Sequence, residues 1–150
     1  MAAYQRKETC MHEYTSRVKV WGLTCPSSPE EVARARRWTR DILRDTPCVD
    51  DAALIVSELG ANALRHTASG GANGAFHVAL ALSGRVLAIS VLDAGGVKET
   101  PTIRQPGPGA EDGRGLTMVS ALATLVEIHG DHRGRTVTAT MTIPSGDPSC

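Results

Sequence analysis

The sequence predicts an α+β fold: a two-layer sandwich with helices on one face of a mixed, mostly antiparallel sheet. Three observations carry that expectation. Segments near 76–82, 87–91 and 136–143 alternate apolar and polar residues with the period-two signature of half-buried strands. A helix with a clear start at Ser28 is followed directly by a second. The resulting order is strand, two helices, hairpin, loop, helix, hairpin, without the strict βαβα alternation of a doubly wound fold.

Residues 16–23 (SRVKVWGL) alternate with Val18 and Val20 in phase, which predicts a first strand. Ser28 then caps a helix, Pro29 fits its first turn, and Glu31 stands three residues on, the spacing of a capping box. Val32, Ala35, Trp38 and Ile42 recur along it at helical spacing. Arg34, Arg36, Arg37, Arg40 and Arg44 occupy the remaining surface, as a docking face or a solvated one. Pro47 breaks this helix, and Asp50 or Asp51 caps the next, which runs to about Thr67. Residues 69–74 (SGGANG) read as a loop. Phe76, Val78, Leu80 and Leu82 alternate in one strand and Leu87, Ile89 and Val91 in the next, with Ser83-Gly84 at the turn. From 94 to 112 glycine and proline replace any apolar period, as in a lid or a plain connection. A helix over 116–123 follows, then a strand near 125–129, a turn at 130–134 and a last strand. There Val137, Ala139, Met141 and Ile143 alternate with four threonines.

Composition excludes several classes. The chain has 150 residues, 41% of them hydrophobic, as expected of one globular domain over 17–145 between polar tails at 1–16 and 146–150. Only five residues are aromatic, so the core is aliphatic and alanine-rich. Sixteen basic and sixteen acidic side chains cancel, which argues against nucleic acid or an anionic membrane as the default partner. No apolar run is long enough to span a membrane, and residues 1–17 lack the apolar stretch of a signal peptide, so the expected compartment is the cytosol. Cys10, Cys25, Cys48 and Cys150 lie far apart with no zinc spacing, and read as reduced, incidental thiols.

Three features carry chemistry. Glu58, Asn62 and His66 are spaced i, i+4, i+8 and share one helical stripe. Turned towards a pocket, the stripe lets the Asn62 oxygen ligate a hard cation while the Glu58 carboxylate, about 6 Å away along the axis, handles a hydroxyl; turned outward, it faces water. Asp93 shares the parity of Leu87, Ile89 and Val91, which aims its carboxylate at the helical layer, where it needs a donor. Ala94-Gly95-Gly96 follows at once, where backbone can approach a ligand. Gly113-Arg114-Gly115-Leu116 opens a helix after the long loop, and free N–H groups there suit a phosphate.

In this order the features resemble the Bergerat-fold (GHKL, HATPase_c) ATPases. The segment 58–66 (ELGANALRH) resembles their N box, Asp93-Ala94-Gly95 their first glycine box, and Gly113-Arg114-Gly115-Leu116 their second. Gly134-Arg135-Thr136 resembles the late Gly-x-Thr turn beside the adenine. The resemblance covers residues 17–143, and two positions depart from it. Val97 stands where the second glycine of Asp-x-Gly-x-Gly belongs, with Gly96 one place early, and Gly60-Ala61 is smaller than the usual pair before Asn.

A lone domain of this length resembles the bacterial anti-sigma factor serine/threonine kinase branch. What that resemblance implies is specific. Asn62 would ligate Mg²⁺, Asp93 would accept from the adenine amino group, and Thr136 would back that contact. His66, Gly95, Gly113, Arg114, Gly115 and Leu116 would complete the ATP site, and Glu58 would act as catalytic base towards a serine or threonine hydroxyl. The implied partners are a sigma factor and an anti-sigma antagonist of the STAS type, with room for a homodimer. Two other readings are a nucleotide-sensing binding module without kinase activity and a detached histidine-kinase-type ATPase domain.

Overall fold

The computed structural model describes residues 18–66, 74–93, 111–131 and 133–144. The tails, the 69–73 glycine segment, most of the 94–112 segment, Gly95, Cys10 and Cys150 lie outside these residues.

Five strands, β1 (Val18–Pro26), β2 (Ala75–Ser83), β3 (Val86–Asp93), β4 (Leu125–Asp131) and β5 (Gly134–Thr142), form one sheet in the order β1-β2-β3-β5-β4. Three helices, α1 (Pro29–Ile42), α2 (Val49–His66) and α3 (Glu111–Leu122), complete the α+β sandwich. All four strand pairings are antiparallel, so the expected mixed sheet is corrected among the described residues to a purely antiparallel one. The last strand inserts between β3 and β4, leaving β4 at the edge.

Alternation in the sequence becomes two-sidedness in the sheet. Leu87, Ile89 and Val91 of β3 and Val137, Ala139 and Met141 of β5 are buried beneath the helices, together with Phe76, Val78 and Leu80 of β2. The core is completed by Ala52, Ile55, Val56 and Leu59 of α2 and Leu116 and Val119 of α3. On the opposite face, Ser90 and Thr138 hydroxyls hydrogen-bond across β3 and β5 at 2.9 Å, and Thr24 meets His77 Nδ1 at 2.9 Å. Val18, Val20, Val86, Leu92 and Leu125 are exposed there.

The helix boundaries hold three corrections. The Ser28 side chain makes no capping hydrogen bond, and Glu31 pairs with Arg34 at 2.5 Å instead of closing a box. Arg34 also donates to the Thr24 carbonyl at 3.0 Å, and the Ser28 N–H that a box would give to Glu31 donates to the Pro26 carbonyl at 2.9 Å. Asp50 and Asp51 lie in the first turn of α2 rather than capping it, and Arg40 reaches Asp50 at 2.8 Å from α1. Finally, α3 starts at Glu111 instead of Leu116.

Two hairpin turns rest on glycines with positive φ. Ser83 pairs with Val86, so Gly84 (φ +56°) and Arg85 form a two-residue loop. At the β4–β5 turn Gly130 has φ +108°, and a Cβ there would lie 2.1 Å from the Gly134 carbonyl oxygen, so no other residue fits.

Candidate functional site

Four polar or charged side chains are buried among the described residues: Thr39, Asn62, Asp93 and Arg135. Thr39 is accounted for locally, since its hydroxyl donates to the Ala35 carbonyl at 2.9 Å within α1. The other three come from α2, the end of β3 and the start of β5.

Asn62 is 5% exposed, at the edge of the buried arc of α2, and Glu58 one turn earlier is half-buried. The one fully buried side-chain polar atom without a partner among the described residues is Ser27 Oγ, so the Asn62 amide is not a sealed orphan. An amide at the margin of the core can still offer its oxygen to a cation or a polar ligand. The described residues hold no group of three His, Cys, Asp or Glu able to cage a metal. One oxygen ligand fits Mg²⁺, which keeps waters and takes its other ligands from substrate phosphates.

Gly60 lies where α2 passes over β2 and against α1. A Cβ at Gly60 would meet Phe76 Cε2 at 3.4 Å and the Val32 methyls at 3.5 Å, so the helix backbone runs close over β2 and against α1. Phe76 is the register partner of Asp93, and Asp93 in turn is the partner of Arg135. One row therefore crosses the sheet on its helix-covered face: Cys25, Phe76, Asp93, Arg135 and Gly130. Asp93 points to the helical layer as its parity predicts, and it is 6% exposed. Burial pushes the Cys25 thiol above its ordinary value and so keeps it neutral, although Arg34 opposes this.

The other expected site residues fall as follows. Thr136 is the register partner of Leu92, one position off the Asp93 row, and so lies on the outer face of β5. The expectation that Thr136 backs the Asp93 contact is corrected on that ground, because a strand presents alternate residues to opposite faces. Gly113, Arg114 and Gly115 lie inside the first turns of α3 instead of preceding it. Of the N–H groups expected to hold phosphate, that of Gly113 is among the first four of the helix; those of Gly115 and Leu116 are taken up within it. Glu111 and Asp112 share that first turn. Leu116 is buried in the core. His66 ends α2, and Gly95 lies outside the described residues.

Arg135 is the residue that sequence reasoning left without a role. It was legible only as the middle of a turn motif, yet it shares the parity of Val137, Ala139 and Met141, which places it on the buried face.

Comparison with known proteins gives two findings. A family model described as histidine kinase-like ATPase domain matches residues 25–141. A solved structure, the RsbU and RsbW domains of Rv1364c from Mycobacterium tuberculosis, is similar with a TM-score of 0.63 and 24% identity. That match covers 83% of this chain and 32% of the other, so this chain spans less than a third of its neighbour's length, and the likeness is one of fold. Among curated proteins, none matches the chain.

Proposed function

The chain belongs to the histidine kinase-like ATPase domain family, and from that premise we propose that it is an ATP-dependent protein serine/threonine kinase that also sequesters a sigma factor. The observation that carries the reading is the placement of Asn62 and Asp93, two buried polar side chains at the α2–sheet interface, with half-buried Glu58 one turn from Asn62. The sequence-level likeness to anti-sigma factor kinases and the RsbW domain named in the structural neighbour support the same branch.

In this reading the Asp93 carboxylate accepts a hydrogen bond from the adenine amino group. Asn62 offers its amide oxygen to Mg²⁺, which when bound neutralises phosphate charge. The N–H groups at the start of α3, Gly113 included, face the phosphates, and Arg114 and His66 lie in segments adjoining them. Glu58 accepts the proton of a serine or threonine hydroxyl on a partner protein, a step worth about 10²–10⁴ in rate. Phosphoryl transfer otherwise depends on positioning and electrostatics. The phosphoacceptor is an anti-sigma antagonist of the STAS type, and the compartment is the bacterial cytoplasm. Among the described residues no helix is long and apolar enough to cross a membrane.

A second reading, a nucleotide-sensing module that holds its partner without phosphorylating it, draws on two observations. Val97 displaces the second glycine of the first glycine box, and most of the 113–116 segment expected to present free N–H groups to phosphate lies within α3. Incubation with Mg-ATP and candidate antagonists separates the two. Phosphoserine or phosphothreonine on the antagonist supports the kinase. ATP binding and partner capture with no transfer replaces it with the switch.

A further inference from the structure

We propose that the free edge of β1 is where two copies of the chain join, antiparallel and centred on Val20, so that their sheets run on as one. β1 is an edge strand, paired with β2 on one side only. Its register with β2 continues one step beyond the strand, where the Ser27 N–H donates to the Gly74 carbonyl at 3.0 Å. Ser27 therefore has the hydrogen-bonding parity of that pair, and alternate residues of a strand turn their backbone groups to opposite sides. Lys19, Trp21, Leu23 and Cys25 face β2, while Val18, Val20, Gly22 and Thr24 face away from it. The Arg34 guanidinium agrees, since it reaches the Thr24 carbonyl from α1 at 3.0 Å. That contact closes the edge at Thr24. From Val18 to Gly22 no other strand or backbone bond covers it among the described residues.

An open edge is a template, because its free N–H and C=O groups accept another strand. The opposite edge is guarded: β4 carries Glu127, His129 and Asp131, with Glu127 and His129 paired at 3.3 Å. The open stretch of β1 holds one charge, Lys19, and its valines, Val18 and Val20, are 62% and 67% exposed. Gly22 completes the stretch, and neither packing nor backbone conformation requires it. A Cβ there would meet only the Val78 carbonyl oxygen, at 3.9 Å, and its φ is not positive. Glycine inside a strand weakens it and often marks the place where another backbone comes close.

The occupant is a second copy because the stretch is complementary to itself. Setting Val20 opposite Val20 places Val18 opposite Gly22 on either side, so every open residue meets an open residue. A slip of two residues one way sets Val18 against Thr24, whose carbonyl Arg34 already holds; a slip the other way leaves Gly22 without a described mate. In the centred register the valines of both copies gather on the uncovered face of the sheet. Each Lys19 then lies opposite the other copy's Trp21, with its ammonium in reach of the indole. The chain carries no net charge to oppose association. Cys25, the β1 member of the Asp93 row, is about 17 Å along the strand from Val20, so the join leaves the candidate site open in both copies.

The test is sedimentation equilibrium of the full chain between about 5 and 500 μM, a range that brackets a short strand-to-strand contact. The mass of the wild type is expected to rise from 15.8 kDa towards twice that value. Val20→Pro removes an N–H that points off the sheet, which an edge strand tolerates, and is expected to stay monomeric throughout. Val20→Thr keeps that N–H and is expected to dimerise. Thr140→Lys puts a charge on the uncovered face of β5, away from the edge, and is expected to dimerise as the wild type does. A wild type that stays monomeric overturns the proposal, as does a Val20→Pro variant that still dimerises. A monomeric Thr140→Lys variant also overturns it, assigning the contact to the sheet face instead. If Val20→Pro does not fold, residue-resolved hydrogen exchange of the wild type decides. The Val20 and Gly22 amides are expected to gain about tenfold protection at the higher concentration, while those of Trp21 and Leu23, bonded to β2, are protected alike at both. A Val20 amide that exchanges equally fast at both concentrations overturns the proposal.

Discussion

Replacing Gly60 by alanine tests the placement of α2 over the sheet. Glycine in a helix interior costs about 0.8–1.0 kcal/mol against alanine. The added methyl would meet Phe76 Cε2 at 3.4 Å and the Val32 methyls at 3.5 Å, the outer edge of tight contact, and no backbone atom comes closer. Burying a methyl contributes at most about 0.8 kcal/mol more, part of it offset by a small shift of the Phe76 ring. The expected net gain is about 1 kcal/mol, a rise in Tm of about 2–4 °C for a chain of this size. Urea denaturation followed by circular dichroism measures it. Because Phe76 neighbours Asp93 in the sheet, ATP affinity should be read alongside, and a change below about twofold is expected. A loss of stability would refute the reasoning: it would mean that α2 presses on β2 and α1 with no room to spare, and that Gly60 is there for close approach.

Four other outcomes are expected. Glu58→Gln should leave Mg-ATP affinity nearly unchanged while phosphate transfer to the antagonist falls about 10²–10⁴-fold; transfer at the wild-type rate in a phosphoprotein assay removes Glu58 as the base. Asn62→Ala should leave the stability of the ligand-free protein nearly level, since Asn62 contributes no sealed, unsatisfied polar atom whose removal would be a gain. The same variant should lose the stabilisation by Mg-ATP, which in the wild type amounts to about 2.7 kcal/mol at 100 times Kd; an unaltered thermal shift in the variant counts against Asn62 as the metal ligand. Burial raises the Cys25 and Cys48 thiols above their ordinary value of 9.0, so below that pH both states are protonated and these groups leave stability level. Above it the unfolded chain loses protons first, stability falls with rising pH, and alanine at both positions should flatten that alkaline slope in urea titrations.

The elements legible in the sequence were those whose burial is written in a local period. Leu87, Ile89, Val91 and Asp93 share one parity and one face, and that parity alone aims the carboxylate of Asp93 at the helices. Strand order was not legible, because the insertion of β5 between β3 and β4 is a non-local pairing that no local period records. At the start of α3, Gly113 and Gly115 read as loop, yet Leu116 and Val119 are drawn into the core and the helix extends back to Glu111. Tertiary burial outweighs the weak helix propensity of two glycines. The capping box failed for a different reason: Arg34 lies one turn from Glu31 and offers it a charged partner.

The site was legible to the extent that motif and parity agreed. Asp93 satisfied both, Asn62 satisfied the motif while its helical stripe could face either way, and the structure buries both. Thr136 satisfied the motif alone, and its parity with Thr138 and Thr140 turns it to the outer face. Arg135 satisfied parity, and the motif reading of Gly134-Arg135-Thr136 gave its middle residue no role. A charged residue in phase with Val137, Ala139 and Met141 is carried to the buried face wherever the strand is unbroken, and it needs acceptors there. The strand is unbroken from Gly134 to Thr142, and the residue opposite is a carboxylate. The phase of Arg135 within β5 and the phase of Asp93 within β3 therefore carry both to the helix-covered face, and the structure buries both there.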